Sequence, residues 1–379
     1  MCCEAFVLKN DGSIALAAIL MLPLALSLLS LRLAPVRDEN YQTAQWIRHL
    51  RLLRVVPLFT VAMWWSLWDN FPQSDVLTAL LHFCPRWACF LLAPALAVAV
   101  ARAILYSIDR RTFARRLTNA DIVRLTIWST IARTVPLLML AAGINALPHQ
   151  HVAGFSWLAG AAVVALIGTL RLHSAEGFKP RSVKTGELHK RAFVIAKRMG
   201  VPLRRVYVVP TGRSHLTNAF GGLFKTIGVS DDYGKWLKGS QLDFVLGHEL
   251  AHIQQNHLLK KLSALLALFS LMAAIGLRLP HLSPAVRTIF PFVAVFVPLI
   301  TFYSVSRRFE YAADRAATEV TNDAAAAIQA LASLYRHTQD PAHCNRFVEL
   351  FSTHPALSRR VQAIARSHQL TAERLSSLV

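Results

Sequence analysis

The chain has 379 residues, 54% of them hydrophobic and 16% charged, with a mean hydropathy of +0.39 and a formal charge of +20. So apolar a composition excludes an ordinary water-soluble protein and points to a chain that lives in a bilayer. The positive excess does not indicate nucleic acid, because the basic residues crowd beside apolar runs, where topology and anionic lipid draw them, and no aromatic-interleaved basic motif accompanies them.

Apolar runs long enough to cross a membrane, or nearly so, begin at residues 13–31 and continue at 55–68 (shorter), 87–101, 127–146 (interrupted by Arg133) and 152–170. The first run exceeds the usual apolar stretch of a cleaved signal peptide and no small-x-small site follows it, so it is expected to stay as an anchor. Near His173 the chain turns polar, which divides an N-terminal multi-span membrane region (1–171) from a second region (172–379). Within the second, residues 186–199 read as an amphipathic helix and 205–209 as a strand ended by Pro210. Residues 217–222 and 226–230 read as short strands broken by glycine. A helix follows over 241–262, with Ser240 placed to cap it, since Leu242, Val245, Leu246, Leu250 and Ile253 recur at near-helical spacing without proline. Two more apolar runs, 262–277 and 288–305, form a membrane hairpin of about 262–305, bringing the total to about seven crossings before a polar helical region closes the chain. Cys2, Cys3, Cys84, Cys89 and Cys344 form no C-x-x-C pair, and no disulfide framework is expected.

Arginine placement sets the orientation. Arg32, Arg37, Arg48, Arg51 and Arg54 share one loop and Arg110, Arg111, Arg115, Arg116 and Arg124 another, whereas 69–75 and 148–151 hold no Lys or Arg. With the basic loops in the cytoplasm, alternation also brings 171–261 and 307–379 to that side, as expected of a multi-pass inner-membrane protein whose site faces the cytoplasm.

The chemistry is concentrated in His248-Glu249-Leu250-Ala251-His252. Two histidines four apart leave a helix on one face and converge on one metal ion, while Glu249 is turned enough to reach water at the metal without ligating it. A catalytic zinc needs a third protein ligand and keeps a fourth position open. The metzincin pattern fails, since the positions it needs are Gln255 and Leu258, and His257, one residue off register, reads as a surface histidine or one that contacts a ligand. Glu310 is the candidate third ligand; Asp314, one turn on along the same helix face, can orient a ligating histidine through its other ring N–H.

These residues recur in order with others: Asn218-Ala219-Phe220, the 248–252 motif, Phe309-Glu310-Tyr311-Ala312-Ala313-Asp314, and Thr353-His354-Pro355 with Arg360-Val361. From about 186 to 361 the chain resembles the membrane gluzincin family of the HtpX proteases and type 1 CAAX prenyl proteases. The resemblance implies that His248, His252 and Glu310 bind zinc and that Glu249 is the general base. It further implies that His354 stabilises the oxyanion and that Asn218 lies on an edge strand pairing with substrate. The front of the chain departs from HtpX proteins, with more spans before the catalytic part.

The expected fold is mainly α, a multi-span membrane protein with a zincin-type α+β metallopeptidase domain interrupted by a membrane hairpin. The expected function is that of an integral membrane zinc endopeptidase, with one Zn2+ per chain. It would cleave peptide bonds of membrane or membrane-associated proteins in quality control or processing. Its partners would be protein or peptide substrates and the lipid bilayer, not nucleic acid. The alternatives are a non-catalytic zinc-binding scaffold, which would close all four metal positions, and a metal transporter, whose ligands would lie within the spans.

Overall fold

The computed structural model describes residues 18–29, 56–68, 86–112, 117–175, 179–210, 219–222, 224–237, 239–338, 343–344 and 346–371. The chain divides into two compact units. One comprises 1–38, 49–176 and 266–299; the other comprises 39–48, 177–265 and 300–379.

The first unit is helical: α1 (Ala18–Leu29), α2 (Val56–Trp68), α3 (Arg86–Thr112), α4 (Asn119–Arg133), α5 (Val135–Ala146) and α6 (His151–Ala175). Thr118 starts α4 with a capping box, its hydroxyl accepting from the Asp121 backbone while the Asp121 carboxylate accepts from the Thr118 N–H. The apolar run that carries Arg133 is broken at Thr134, where Pro136 stands in the first turn of α5. Small residues let these helices approach closely: a Cβ on Gly168 would come within 2.7 Å of the Ala132 Cα. Trp64 and Trp65 are buried and each indole N–H is satisfied, by the Phe90 carbonyl at 3.1 Å and the Asn145 Oδ1 at 2.9 Å.

Among the described residues, five helical segments are long and apolar enough to cross a membrane: 90–108, 119–146, 151–175, 257–276 and 284–321, with α1 and part of α2 as shorter apolar helices. The outward faces decide the solvent. The most apolar stretch of residues 257–276 has a mean hydropathy of 1.9 but is only 6% buried within the protein, so it requires lipid around it. The protein is a mainly α, multi-span membrane protein.

The second unit holds β1 (Arg181–Val183), α7 (Glu187–Arg198), β2 (Arg205–Val209), β3 (Ala219–Gly222), β4 (Thr226–Ser230), α8 (Tyr233–Trp236) and α9 (Ser240–Gln254). Then come α10 (His257–Gly276) and α11 (Pro284–Thr321), of which 266–276 and 284–299 belong to the first unit, followed by α12 (Ala324–Thr338), α13 (Arg346–Glu349) and α14 (Leu357–Ser367). The sheet runs β1-β2-β4-β3, with β2 and β4 parallel and the outer pairs antiparallel, so β3 is an edge. Phe220 and Gly228 are partners across β3 and β4, and a Cβ on Gly228 would overlap the Phe220 ring. Leu246 and Leu250 of α9 are fully buried in the core that α7, the sheet and α12 share, each contributing about 1.5–3 kcal/mol.

Two expectations are corrected. Ser240 is not the cap but the first helical residue, and Gly239, at φ 53°, occupies the N-cap position that a side chain would find strained. The helix expected through 262 ends at Gln254: Asn256 takes the left-handed conformation at φ 53°, and α10 restarts at His257.

Candidate metal centre and active site

The second unit brings four elements to one point. Helix α9 supplies His248 and His252, α11 supplies Glu310 and Asp314, the loop before α14 supplies His354, and α14 supplies Arg360. His248 Nε2 and His252 Nε2 are 3.2 Å apart, and the Glu310 side chain completes a triangle of three side chains, its Oε2 3.5 Å from His248 Nε2 and its Oε1 3.5 Å from His252 Nε2. Ligand atoms of a tetrahedral zinc with bonds of about 2.0–2.1 Å lie about 3.3 Å from one another. The three side chains therefore fit a zinc ion in donor type and in spacing, and they are the group among the described residues able to hold a metal.

Behind the triangle stands a layer of charge. His248 Nδ1 is 3.0 Å from Asp314 Oδ1, off the line of an ideal N–H···O bond, and Asp314 receives two hydrogen bonds from Arg360, Nε at 2.8 Å and Nη2 at 2.6 Å. All three are buried, and Arg360 also lies 3.8 Å from Glu310 Oε2. Burial alone would lower the His248 pKa, but the hydrogen bonds and negative charge of Asp314 and Glu310 outweigh it and raise it to about 10. The site is thus built to keep a positive charge beside Glu310, and a divalent ion answers that field.

Glu249 follows His248 on α9 and is half-buried; among the described residues no hydrogen bond or ion pair engages its carboxylate. Burial pushes the nearby Tyr233 phenol up, with the Glu249 charge adding to the effect, so that hydroxyl stays protonated at neutral pH. His354 is exposed, on the loop before α14, with Nδ1 2.7 Å from Glu310 Oε2. That loop is tied down on both sides: Arg307 donates to the Glu349 and Ser352 carbonyls, Tyr335 donates to the Pro355 carbonyl, and Arg359 pairs with Glu349.

The edge strand comes close to the catalytic helix at Gly221, where a Cβ would stand 2.8 Å from the Glu249 carbonyl oxygen. Asn218, expected on that strand, lies outside the described residues. His257 is not at the surface: it is 2% exposed, with Nδ1 2.8 Å from His252 Nδ1. Arg360 was visible only as part of a motif, because nothing local in its sequence marks Asp314, 46 positions away, as its partner.

Residues 182–368 match Peptidase family M48. That match spans about half of the chain, 187 of its 379 residues. Among similar proteins, a "Protease HtpX homolog" of Ralstonia pickettii is 25% identical over 236 residues, 53% of this chain and 79% of that protein. A "CAAX prenyl protease 1 homolog" of Dictyostelium discoideum is 28% identical over 191 residues, 46% of this chain and 45% of that one. In fold, this chain resembles the crystal structure of "S. mikatae Ste24p", with a TM-score of 0.51 at 16% identity over 94% of this chain and 98% of that one. The resemblance read from the sequence motifs is thus the family found. The protein is a membrane metalloprotease, whose partners are protein or peptide substrates and the bilayer.

Proposed function

We propose that this protein is a zinc endopeptidase of the inner membrane, its site facing the cytoplasm, that cleaves peptide bonds of membrane or membrane-associated proteins in quality control or processing. In this reading His248, His252 and Glu310 hold one zinc ion per chain, Glu249 is the general base, and Asp314 orients His248. The observation that carries it is the convergence of three side chains, with His248 Nε2 and His252 Nε2 3.2 Å apart and each 3.5 Å from one oxygen of the Glu310 carboxylate, beside a carboxylate that no described residue engages. The region 172–379 acts as the metallopeptidase domain and 1–171 as its membrane support.

A bound zinc ion supplies Lewis acidity, polarising the scissile carbonyl and making water acidic enough to lose a proton near neutral pH. Glu249 accepts that proton as the water oxygen bonds to the carbonyl carbon, then delivers it to the amide nitrogen as the C–N bond breaks, leaving a carboxylate and an amine. His354 donates a hydrogen bond to the carbonyl oxygen as negative charge develops there, a contribution typically worth about 10²- to 10³-fold. Its exposure, 60% of the side chain, and its fixed loop support a role toward an incoming substrate. For recognition, β3 offers the edge of a sheet to which a substrate can add as a strand, with Asn218 directly before it in the sequence and Gly221 close against the backbone of Glu249.

Metal analysis tests the reading. The purified protein should contain about one zinc per chain, and Glu310→Ala should lose it; full zinc in that variant would remove Glu310 from the ligand set.

A further inference from the structure

The two histidines of α9 are held in different ways. His248 turns Nδ1 toward Asp314, an anion. His252 Nδ1 instead meets another imidazole, Nδ1 of His257, at 2.8 Å, and the far nitrogen of His257, Nε2, meets Gln255 Oε1 at 2.9 Å.

Two ring nitrogens at that separation share one hydrogen, so one ring donates and the other accepts. For His252 to offer a lone pair at Nε2, its hydrogen must sit on Nδ1. His257 Nδ1 must then accept, which forces the His257 hydrogen onto Nε2, and that hydrogen needs an oxygen to receive it. Gln255 turns its carbonyl oxygen, not its amide nitrogen, to this spot. The opposite set of roles would put a hydrogen on His252 Nε2 and close it to a metal.

The backbone is shaped for this contact. On an unbroken helix His257 would point about 140° away from His252, five residues on at about 100° each. The left-handed turn at Asn256 brings it back. Its ring is buried and stacked on Phe309, with centroids 4.1 Å apart and planes 5° from parallel, and Phe309 directly precedes Glu310. One ring therefore touches a histidine of α9 and the residue beside the carboxylate of α11.

We propose that His257, oriented by Gln255 and stacked on Phe309, is a positioning residue that fixes the tautomer and ring plane of His252 and so sets the affinity of the site for zinc. The proposal rests on the zinc site described above. Partners of this kind behind metal-bound histidines typically change affinity by about 10- to 100-fold.

The test uses the full-length protein in detergent, with zinc affinity measured by competition against a chelator and the unfolding temperature of the metal-stripped protein measured alongside. His257→Leu should weaken zinc binding by about 10- to 100-fold, and Gln255→Leu should weaken it in the same direction. Gln255→Glu, which keeps an acceptor oxygen, should bind at least as tightly as the parent. A role in packing alone would lower the unfolding temperature of the His257 variant and leave Gln255→Leu and Gln255→Glu equal in affinity, which would overturn the proposal, as would parental affinity in both leucine variants. A parent chain that binds no zinc would instead overturn the metal site on which the proposal depends.

Discussion

Replacing Asp314 by Ala should be among the most damaging single changes outside the ligand set. The carboxylate takes two charge-assisted hydrogen bonds from Arg360, at 2.6 and 2.8 Å, and both side chains are less than a tenth exposed. Its removal leaves a buried guanidinium whose nearest remaining carboxylate is Glu310, at 3.8 Å. Breaking a buried pair on one side costs about 3–5 kcal/mol. At about 2–4 °C per kcal/mol for a domain of this size, the metal-stripped protein should lose about 6–20 °C of unfolding temperature. Zinc affinity should fall about 10- to 100-fold as well, since His248 loses the group facing its Nδ1. A double variant separates the two effects: Asp314→Leu with Arg360→Met removes both charges, and should recover most of the stability while zinc binding stays weak. Differential scanning fluorimetry and chelator competition on the same preparations read both quantities. An Asp314→Ala protein as stable as the parent would refute the account of a buried charge layer, and a double variant with parental zinc affinity would refute its role in holding His248.

Changing His354 to Ala should leave about one zinc per chain and lower kcat by about 10²-fold with KM nearly unchanged, the pattern of an interaction made mainly in the transition state; steady-state kinetics on a peptide substrate check it. Gly221→Val forces a side chain against the Glu249 carbonyl, 2.8 Å from where a Cβ would stand, so proteolysis should collapse while zinc content is retained. Zinc affinity should rise with pH. The His248 pKa is raised to about 10 in the metal-free protein, so between the ordinary value of 6.5 and about 10 binding must displace that proton, and affinity should gain up to about tenfold per pH unit by chelator competition. The same shift stabilises the metal-free fold fully below pH 6.5, and that contribution is lost as pH rises through 10.

What could be read from the sequence was what helix geometry fixes locally. His248 with His252, and Glu310 with Asp314, are pairs four apart, and a spacing of one turn puts each pair on one face whatever the rest of the chain does. The spans were legible because lipid demands long apolar runs, and the five longer segments with the two shorter helices match the runs seen in the sequence. What escaped depended on backbone choices that composition hardly marks. Asn256 could equally have continued a helix, yet its left-handed turn ends α9 and carries His257 from the expected continuation to a place against His252. The strand Arg181–Val183 is too short to show a period, and it exists because β2 offers it a partner. Arg360 sits on a strongly amphipathic last helix where an arginine reads as a solvated face; only the fold turns it inward to Asp314.

The central claim is that Glu249 acts on water while the metal is held by other side chains, and the most direct measurement is the Glu249→Gln protein assayed for zinc and for proteolysis in the same preparation. The substitution keeps the size of the side chain and removes its ability to take a proton. The account requires about one zinc per chain together with loss of cleavage of an unfolded membrane protein or peptide. Undiminished cleavage by that variant would contradict it.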